Sequence, residues 1–483
     1  MTELHDLTGL QQASAIRRAE VSAVELAEHY LARVDRLGDQ VGAFITVTAD
    51  QAMHAAKQAD DTVRRNADGS GDRSADLAGL PPLLGVPTAI KDLNLTAGVR
   101  TTFGSATYED FVPELSDEVV LRLERAGLIS LGKTNTPEFG SPCYTEPDVA
   151  PPARTPYDLA RSAGGSSGGA GAAVAAGLVP WAQGSDGGGS IRIPASVCGL
   201  VGLKPSRGRI SGAPLYGDPV GLATPGPLTR TVRDAAAMLD VLEGPHPGDH
   251  AWAPPLPAGE DYTSWCERDP GRLRVARFVT PLVAEAEVHP ECRAAYESAS
   301  RLLDTLGHDV VDIPAPLSPD AVPVFETCWA VLTGLSVVPT DRVDRLRPLT
   351  RWLMDRAAEV SAVDFGLALG ELRRIAARAL EALASYDVVL TPTLAALPAP
   401  VGSLRDDADP SQDFENQKTF TPYTSAWNVT GMPAVSLPLH WTDDGLPVGV
   451  MLAARPAEEH LLLALSAQME AAAPWHDRLP SCW

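Results

Sequence analysis

RSAGGSSGGAGAAVAAGLVPWAQGSDGGGSIRIPASVCGLVGLKPS, residues 161–206, concentrates glycine, serine and alanine more than a packed segment ordinarily does. Ala172 to Leu178 within it is apolar and suited to a helix, so the tract is not a flexible linker. Glycines spaced this closely imply that backbones approach one another or a ligand. Two serines sit inside them, Gly164-Gly165-Ser166-Ser167-Gly168-Gly169 and Asp186-Gly187-Gly188-Gly189-Ser190. Alone, either segment is read equally well as a tight turn or as an anion-binding nest of successive N–H groups.

A serine nucleophile needs a base and N–H donors aimed at the developing oxyanion. Gly187, Gly188, Gly189 and Ser190 carry such donors, since residues without side chains can turn successive amides toward one point. None of the ten histidines lies in these segments, so a Ser-His-Asp arrangement has to recruit one from afar, such as His308 or His440. Lysine is the other candidate, provided burial leaves it neutral. Lys91 ends the short apolar run Leu83 to Ile90, which is expected to form a buried strand. The competing reading makes Lys91 a surface charge paired with Asp92. Gly164-x-Ser166-x-Gly168 also fits a nucleophile elbow, which makes Ser166 a rival nucleophile. A phosphate-binding, non-catalytic protein is disfavoured, because the chain lacks the G-x-x-x-x-G-K-[ST] pattern.

Outward from the tract the pattern is α/β. Ser22 and Glu25 form a capping box before Val24, Leu26, Tyr30, Leu31 and Val34 at helical spacing. Arg64 to Leu80 reads as a surface loop. Ser116 to Ala126 fits a helix and Leu128 to Leu131 a strand. Thr231 and Asp234 suggest a capping box for a helix reaching Leu242, and a strand near Leu273 to Phe278 precedes a helix near Glu291 to Leu306. Residues 314–383 are helical in pattern, and Asp387 to Leu390, Ala434 to Leu439 and Val448 to Ala453 read as strands that rejoin the sheet. One domain over residues 1–483 is expected, with a core at about 83–210 and a covering helical insertion at about 314–383. Phe325, Cys328, Trp329, Leu332 and Trp352 in that insertion are apolar enough to line a cleft.

The 483 residues are 45% hydrophobic and 21% charged, a globular composition. With 39 Lys and Arg against 62 Asp and Glu the net charge is −23, which argues against nucleic acid and anionic membrane surfaces as partners. The amino terminus lacks a signal pattern and no run reaches the length of a membrane span, so a cytoplasmic protein is expected. Six scattered cysteines without a C-x-x-C pair read as free thiols, and no metal site is expected.

Residues 161–206 resemble the signature region of the amidase-signature enzymes throughout. GVPTAIKDLN around Lys91, GKTNTPEFG at 132–140, NVTGMPAVSLP from Asn428 and GLPVGV from Gly445 extend the resemblance over most of the chain. The resemblance implies one α/β/α domain with a large twisted mixed sheet covered by helices, and a Ser-cisSer-Lys triad. Ser190 becomes the acyl-forming nucleophile, Ser166 the bridging serine after a cis Gly165-Ser166 peptide, and Lys91 the terminal base. It also implies hydrolysis of amides or carbamates of small molecules, aryl amides or urethanes foremost, without metal or organic cofactor, by a monomer or homodimer. The alternative within the same resemblance is the glutamine-hydrolysing subunit of a tRNA-dependent amidotransferase. Ser141, Tyr144 and Cys328 are the expected substrate-pocket residues. Two departures stand out: Gly187, where the family more often has a larger residue, and Val450, where many members carry glutamine. Arg192 is expected to anchor Asp186 beneath the glycine loop.

Overall fold

Strands β1 (Phe44–Val47), β2 (Pro87–Lys91) and β3 (Ile129–Thr134) form a small sheet in the order β1-β3-β2. The remaining strands are β4 (Trp181–Asp186), β5 (Val201–Lys204), β6 (Thr224–Thr229), β7 (Arg274–Arg277), β8 (Asp309–Asp312), β9 (Val388–Pro392), β10 (Ala434–Trp441) and β11 (Pro447–Ala454). They form one eight-stranded mixed sheet ordered β4-β6-β5-β10-β11-β9-β7-β8, antiparallel from β4 through β9 and parallel from β9 to β8. The computed structural model describes residues 3–67 and 79–483. The chain is an α/β protein with a large mixed sheet packed between helices, as expected.

The strands read from sequence appear within a few residues, with Lys91 closing β2. That strand belongs to the small sheet rather than to the large one. Its Lys91 N–H donates to Gln183 Oε1 of β4 at 2.9 Å, which joins the two sheets along that edge. β4 and β5, inside the glycine-rich tract, escaped the sequence reading because alanine and glycine there hide the two-residue alternation of a strand.

The expected helix in the tract runs Gly168–Ala175, with all eight of its residues buried. Apolar on every side, it has no solvent face and belongs in a core. Gly169 is where it packs closest: a Cβ there would stand 2.2 Å from Asn135 N and 2.5 Å from Ala43 O, both backbone atoms. Its carboxyl end is capped from outside by Arg33, which donates to the carbonyls of Ala176 (2.9 Å) and Gly177 (2.7 Å).

The Ser22–Glu25 capping box opens the helix Ala23–Val41 as expected. Thr231 does cap Val232–Leu242, accepting from Asp234 N at 3.1 Å. Asp234 does not complete a box. Its buried carboxylate instead accepts from Gly9 N (2.9 Å) and Leu10 N (3.1 Å), tying the first long helix to this one. The loop expected from Arg64 to Leu80 is helical up to Ala67, and residues 68–78 lie outside the described residues. Residues 314–383, expected to be helical, hold the α-helices Ala321–Gly334, Pro348–Ala358 and Ala362–Leu383 and a short 3-10 helix, Val343–Arg345.

Candidate active site

β2 carries Lys91 to the centre of the molecule, where it is fully buried. Its Nζ lies 2.8 Å from Ser166 Oγ, 3.1 Å from Ser185 Oγ and 3.2 Å from Ser185 O. Burial pulls the ammonium down to about 7 from its ordinary 10.5, with the Asp186 carboxylate opposing the fall. Asp92 is not its partner. That carboxylate faces Lys133 at 3.3 Å and takes the Thr102 hydroxyl at 2.6 Å, so the surface ion pair weighed for Lys91 is replaced by a buried Asp92–Lys133 pair. Ser185 was missed at the sequence level, although it stands within the Gly-Ser-Asp-Gly-Gly-Gly-Ser run.

Ser166 follows a cis Gly165-Ser166 peptide. No strand leads into it; Arg154, Ser162 and Arg161 make only isolated bridges, so the strand-to-helix elbow of the rival reading lacks its strand. Ser190 stands between β4 and the short helix Arg192–Val197, and both serines line one cavity.

The glycine loop is held from beneath by a charge cage. Asp186 accepts from Arg192 Nε (2.9 Å) and Nη2 (2.8 Å), with both side chains inaccessible, as expected for Arg192. Burial alone would raise this carboxyl, but the Arg192 guanidinium outweighs it and holds the group well below the usual carboxylate range. Asp186 also accepts from Gly189 N (2.8 Å), Ile191 N (3.2 Å) and Asn428 Nδ2 (2.9 Å). Thr424 Oγ1 donates to Gly188 O at 2.6 Å. The Gly188–Gly189 peptide is therefore pinned at both its oxygen and its N–H. Gly189 has φ +136°, and a Cβ there would meet Thr424 Oγ1 at 2.4 Å, so only glycine fits. This corrects the four-amide oxyanion expectation: the Gly189 N–H is committed to Asp186, leaving Gly187, Gly188 and Ser190.

Two cavities meet at Ser190. One, about 860 Å³ including its mouth, is walled largely by apolar side chains such as Ile193, Phe325, Leu372 and Val429. The other, about 680 Å³, is bounded by Ser166, Ser185, Gly187, Leu93 and Asp218. Of the expected pocket residues, Ser141 lines both. Tyr144 lines neither; it is fully buried and donates its hydroxyl to Asp413 at 2.5 Å. Cys328 is likewise 0% exposed, packed inside the insertion with Leu372 and Ala376, because its position on Ala321–Gly334 faces the core while the next residue, Trp329, faces the cleft. Trp352 packs against Phe414, ring centroids 5.8 Å apart and tilted by 54°, rather than lining either cavity.

His308 and His440 stand outside both cavities: His308 bonds Leu273 N and Gln468, and His440 pairs with Glu291. Val450 is buried in β11 opposite Pro392 and Leu437. All six cysteines are free. The expectation of no metal-ligand cluster did not foresee Glu3, His5 and His29, which the fold brings together, with His5 Nδ1 3.0 Å from His29 Nε2. Burial first, then the Arg33 guanidinium, lowers the His5 imidazole to about 4, so the surroundings disfavour positive charge there. No helix among the described residues is long and apolar enough to cross a membrane.

The amidase family profile matches residues 25–463. The 6-aminohexanoate-cyclic-dimer hydrolase of Pseudomonas sp. (strain NK87) is 36% identical over 498 residues, covering 97% of this chain and 95% of that protein. The solved structure of 6-aminohexanoate cyclic dimer hydrolase complexed with substrate aligns with a TM-score of 0.88 at 34% identity, covering 99% of this chain and 100% of that one. A bacterial aryl acylamidase of the amidase-signature enzymes aligns with a TM-score of 0.86 at 26% identity, over 99% and 98%. With a buried lysine and two serines converging on a cleft over a caged glycine loop, and with these likenesses along nearly its whole length, the chain belongs to the amidase family of C–N hydrolases.

Proposed function

We propose that the protein hydrolyses amides and carbamates of small molecules through an acyl-enzyme on Ser190, with Ser166 and Lys91 as its proton relay. Ser190 Oγ attacks the carbonyl carbon while its proton passes to Ser166, whose own proton passes to neutral Lys91. The N–H groups of Gly187, Gly188 and Ser190 hold the oxyanion, an interaction that preorganised donors make worth several kcal/mol. Collapse breaks the C–N bond as Lys91 returns the proton through Ser166 to the leaving nitrogen. Water then attacks the acyl-enzyme by the same relay, releasing the acid or, for a carbamate, the carbonic monoester.

The observation that carries this reading is the 2.8 Å contact between Lys91 Nζ and Ser166 Oγ at a lysine buried enough to sit at about 7. Aryl amides and urethanes are the favoured substrates: Trp329, which borders both cavities at Ser190, offers apolar ring surface to an aryl group, and the relatives' names point to amide oligomers and aryl amides.

The test is labelling by a fluorophosphonate or sulfonyl fluoride read by peptide mass spectrometry, alongside assays on an anilide, an aryl dicarbamate and glutamine. Ser190 takes the label, Ser190→Ala does not, and arylamine is released. A label on Ser166 instead, or turnover of glutamine alone, refutes the assignment.

A further inference from the structure

Building on the hydrolase reading, we infer that Trp329, with Ser141, is the wall dividing an acyl cavity from an amine cavity, and that this chain selects substrates whose apolar bulk is on the acyl side. The proton's path fixes the orientation. Ser166 opens onto the cavity that Leu93, Ser185 and Asp218 bound, and is not among the residues of the apolar one. The relay delivers its proton through Ser166, so the leaving nitrogen has to be on Ser166's side of Ser190. Ser190 itself borders both cavities. With the carbonyl carbon at Ser190 and the C–N bond pointing toward Ser166, the acyl substituent points the other way.

The side it enters is apolar. Among the described residues Lys418 is its one charged lining residue, and Glu326 and Glu415 already neutralise that ammonium at 2.5 Å and 2.6 Å. The amine side is more polar and adjoins a further cavity through Leu93, Ser185 and Asp218, where Arg207, Asp249 and His250 stand. An amine product thus leaves along a hydrophilic route.

Trp329 lines both cavities and is held as a wall. Its indole stacks on Phe325 with centroids 5.5 Å apart at 22°, and its Nε1 donates to Ser141 Oγ at 3.3 Å. Its ring also lies against the glycine loop: a Cβ on Gly187 would stand 3.7 Å from it and one on Gly188 3.6 Å. The space over Gly187 is thus occupied by this indole, which a Cβ there would touch at ordinary contact distance.

Two substrate series test the partition. In one, anilides share an unsubstituted aniline and the acyl chain grows from acetyl to hexanoyl; in the other, acetyl is kept and the aniline carries a para-alkyl chain of growing length. On the wild type, kcat/KM rises with acyl length toward a limit of about fourfold per buried methylene, and para-alkyl extension brings no gain. Trp329→Ala narrows the ratio between the two series at least tenfold by admitting the longer amines, while Trp329→Phe keeps the wild-type ratio; thermal melts of both variants show that they are folded. A gain along the amine series in the wild type overturns the orientation, and an unchanged ratio in a folded Trp329→Ala overturns the wall. Either result with Ser190 still labelled leaves the hydrolase reading standing. Absence of both turnover and labelling refutes that reading and the partition with it.

Discussion

Lys91 makes the sharpest quantitative demand on the proposed chemistry. The relay needs the neutral amine, so kcat/KM follows the neutral fraction of Lys91 in the free enzyme. Held at about 7, the amine is about one-tenth neutral at pH 6, half at pH 7 and nine-tenths at pH 8. The profile therefore rises about tenfold from pH 6 to 8 and then flattens, whereas a solvated lysine at 10.5 would keep it climbing tenfold per pH unit to about pH 10. Stability carries the same signature. Because burial lowers the folded-state value below that of the unfolded chain, the unfolded chain binds more protons between about pH 7 and 10.5, and stability rises with pH across that window. Below pH 7 the full penalty, about 5 kcal/mol, is present. Lys91→Met removes it, so the wild type should gain on the variant by about 2 kcal/mol between pH 7 and 9. Lys204, lowered by burial to about 7 as well, adds the same slope to both proteins and cancels in the difference. Stopped assays at low substrate over pH 5.5–10 measure the first quantity and urea midpoints of both proteins the second. Refutation would be a kcat/KM still climbing between pH 9 and 10, a stability difference that ignores pH, or an active Lys91→Met.

The cage beneath the glycine loop yields another expectation: Arg192→Leu strands the buried Asp186 charge and costs about 3–5 kcal/mol, visible as a lowered unfolding midpoint that Asp186→Asn in the same chain partly restores. If the single and double variants melt alike, the pair is not coupled. Glycines of the signature tract should differ sharply under the same change. Gly169→Ala drives a methyl to 2.2 Å from Asn135 N and should lose roughly 1–3 kcal/mol or more, whereas Gly187→Ala meets only ordinary contacts at 3.7 Å and should melt like the wild type. Equal melting of the two would show that close packing does not dictate Gly169. Thr424→Val removes the donor that pins the Gly188 carbonyl; kcat should fall about tenfold or more with KM little changed, if loop order serves the oxyanion, and a changed KM at constant kcat would argue against that role.

Local chemistry in the sequence nominated the candidate residues but left their roles open, and it was the resemblance of residues 161–206 to the amidase-signature region that ordered them into a triad. A lysine ending an apolar run and serines set in glycine are short-range signals, and the fold brings both serines to one cleft with Lys91 buried against Ser166. Helix starts at Ser22 and Thr231 were legible for the same reason, since caps act within one turn.

What the sequence did not carry is direction and competition. Cys328 and Trp329 are neighbours on one helix, and only the packing of Ala321–Gly334 decides that the first points to the core and the second to the cleft. Tyr144 reads as a pocket residue until Asp413, far along the chain, takes its hydroxyl. The Gly189 amide is available to an oxyanion in sequence, yet Asp186 takes it once Arg192, Asn428 and Thr424 fix the loop. The sequence by itself thus determined which residue types and turns can perform the chemistry, because those depend on neighbours within a few positions. Tertiary structure alone decided which donors remain free, which charges are paired and which side chains face the cleft. Several of those depend on contacts between segments more than two hundred residues apart, as at Tyr144–Asp413 and Asp186–Asn428, and a buried polar group takes whichever partner the fold brings to it.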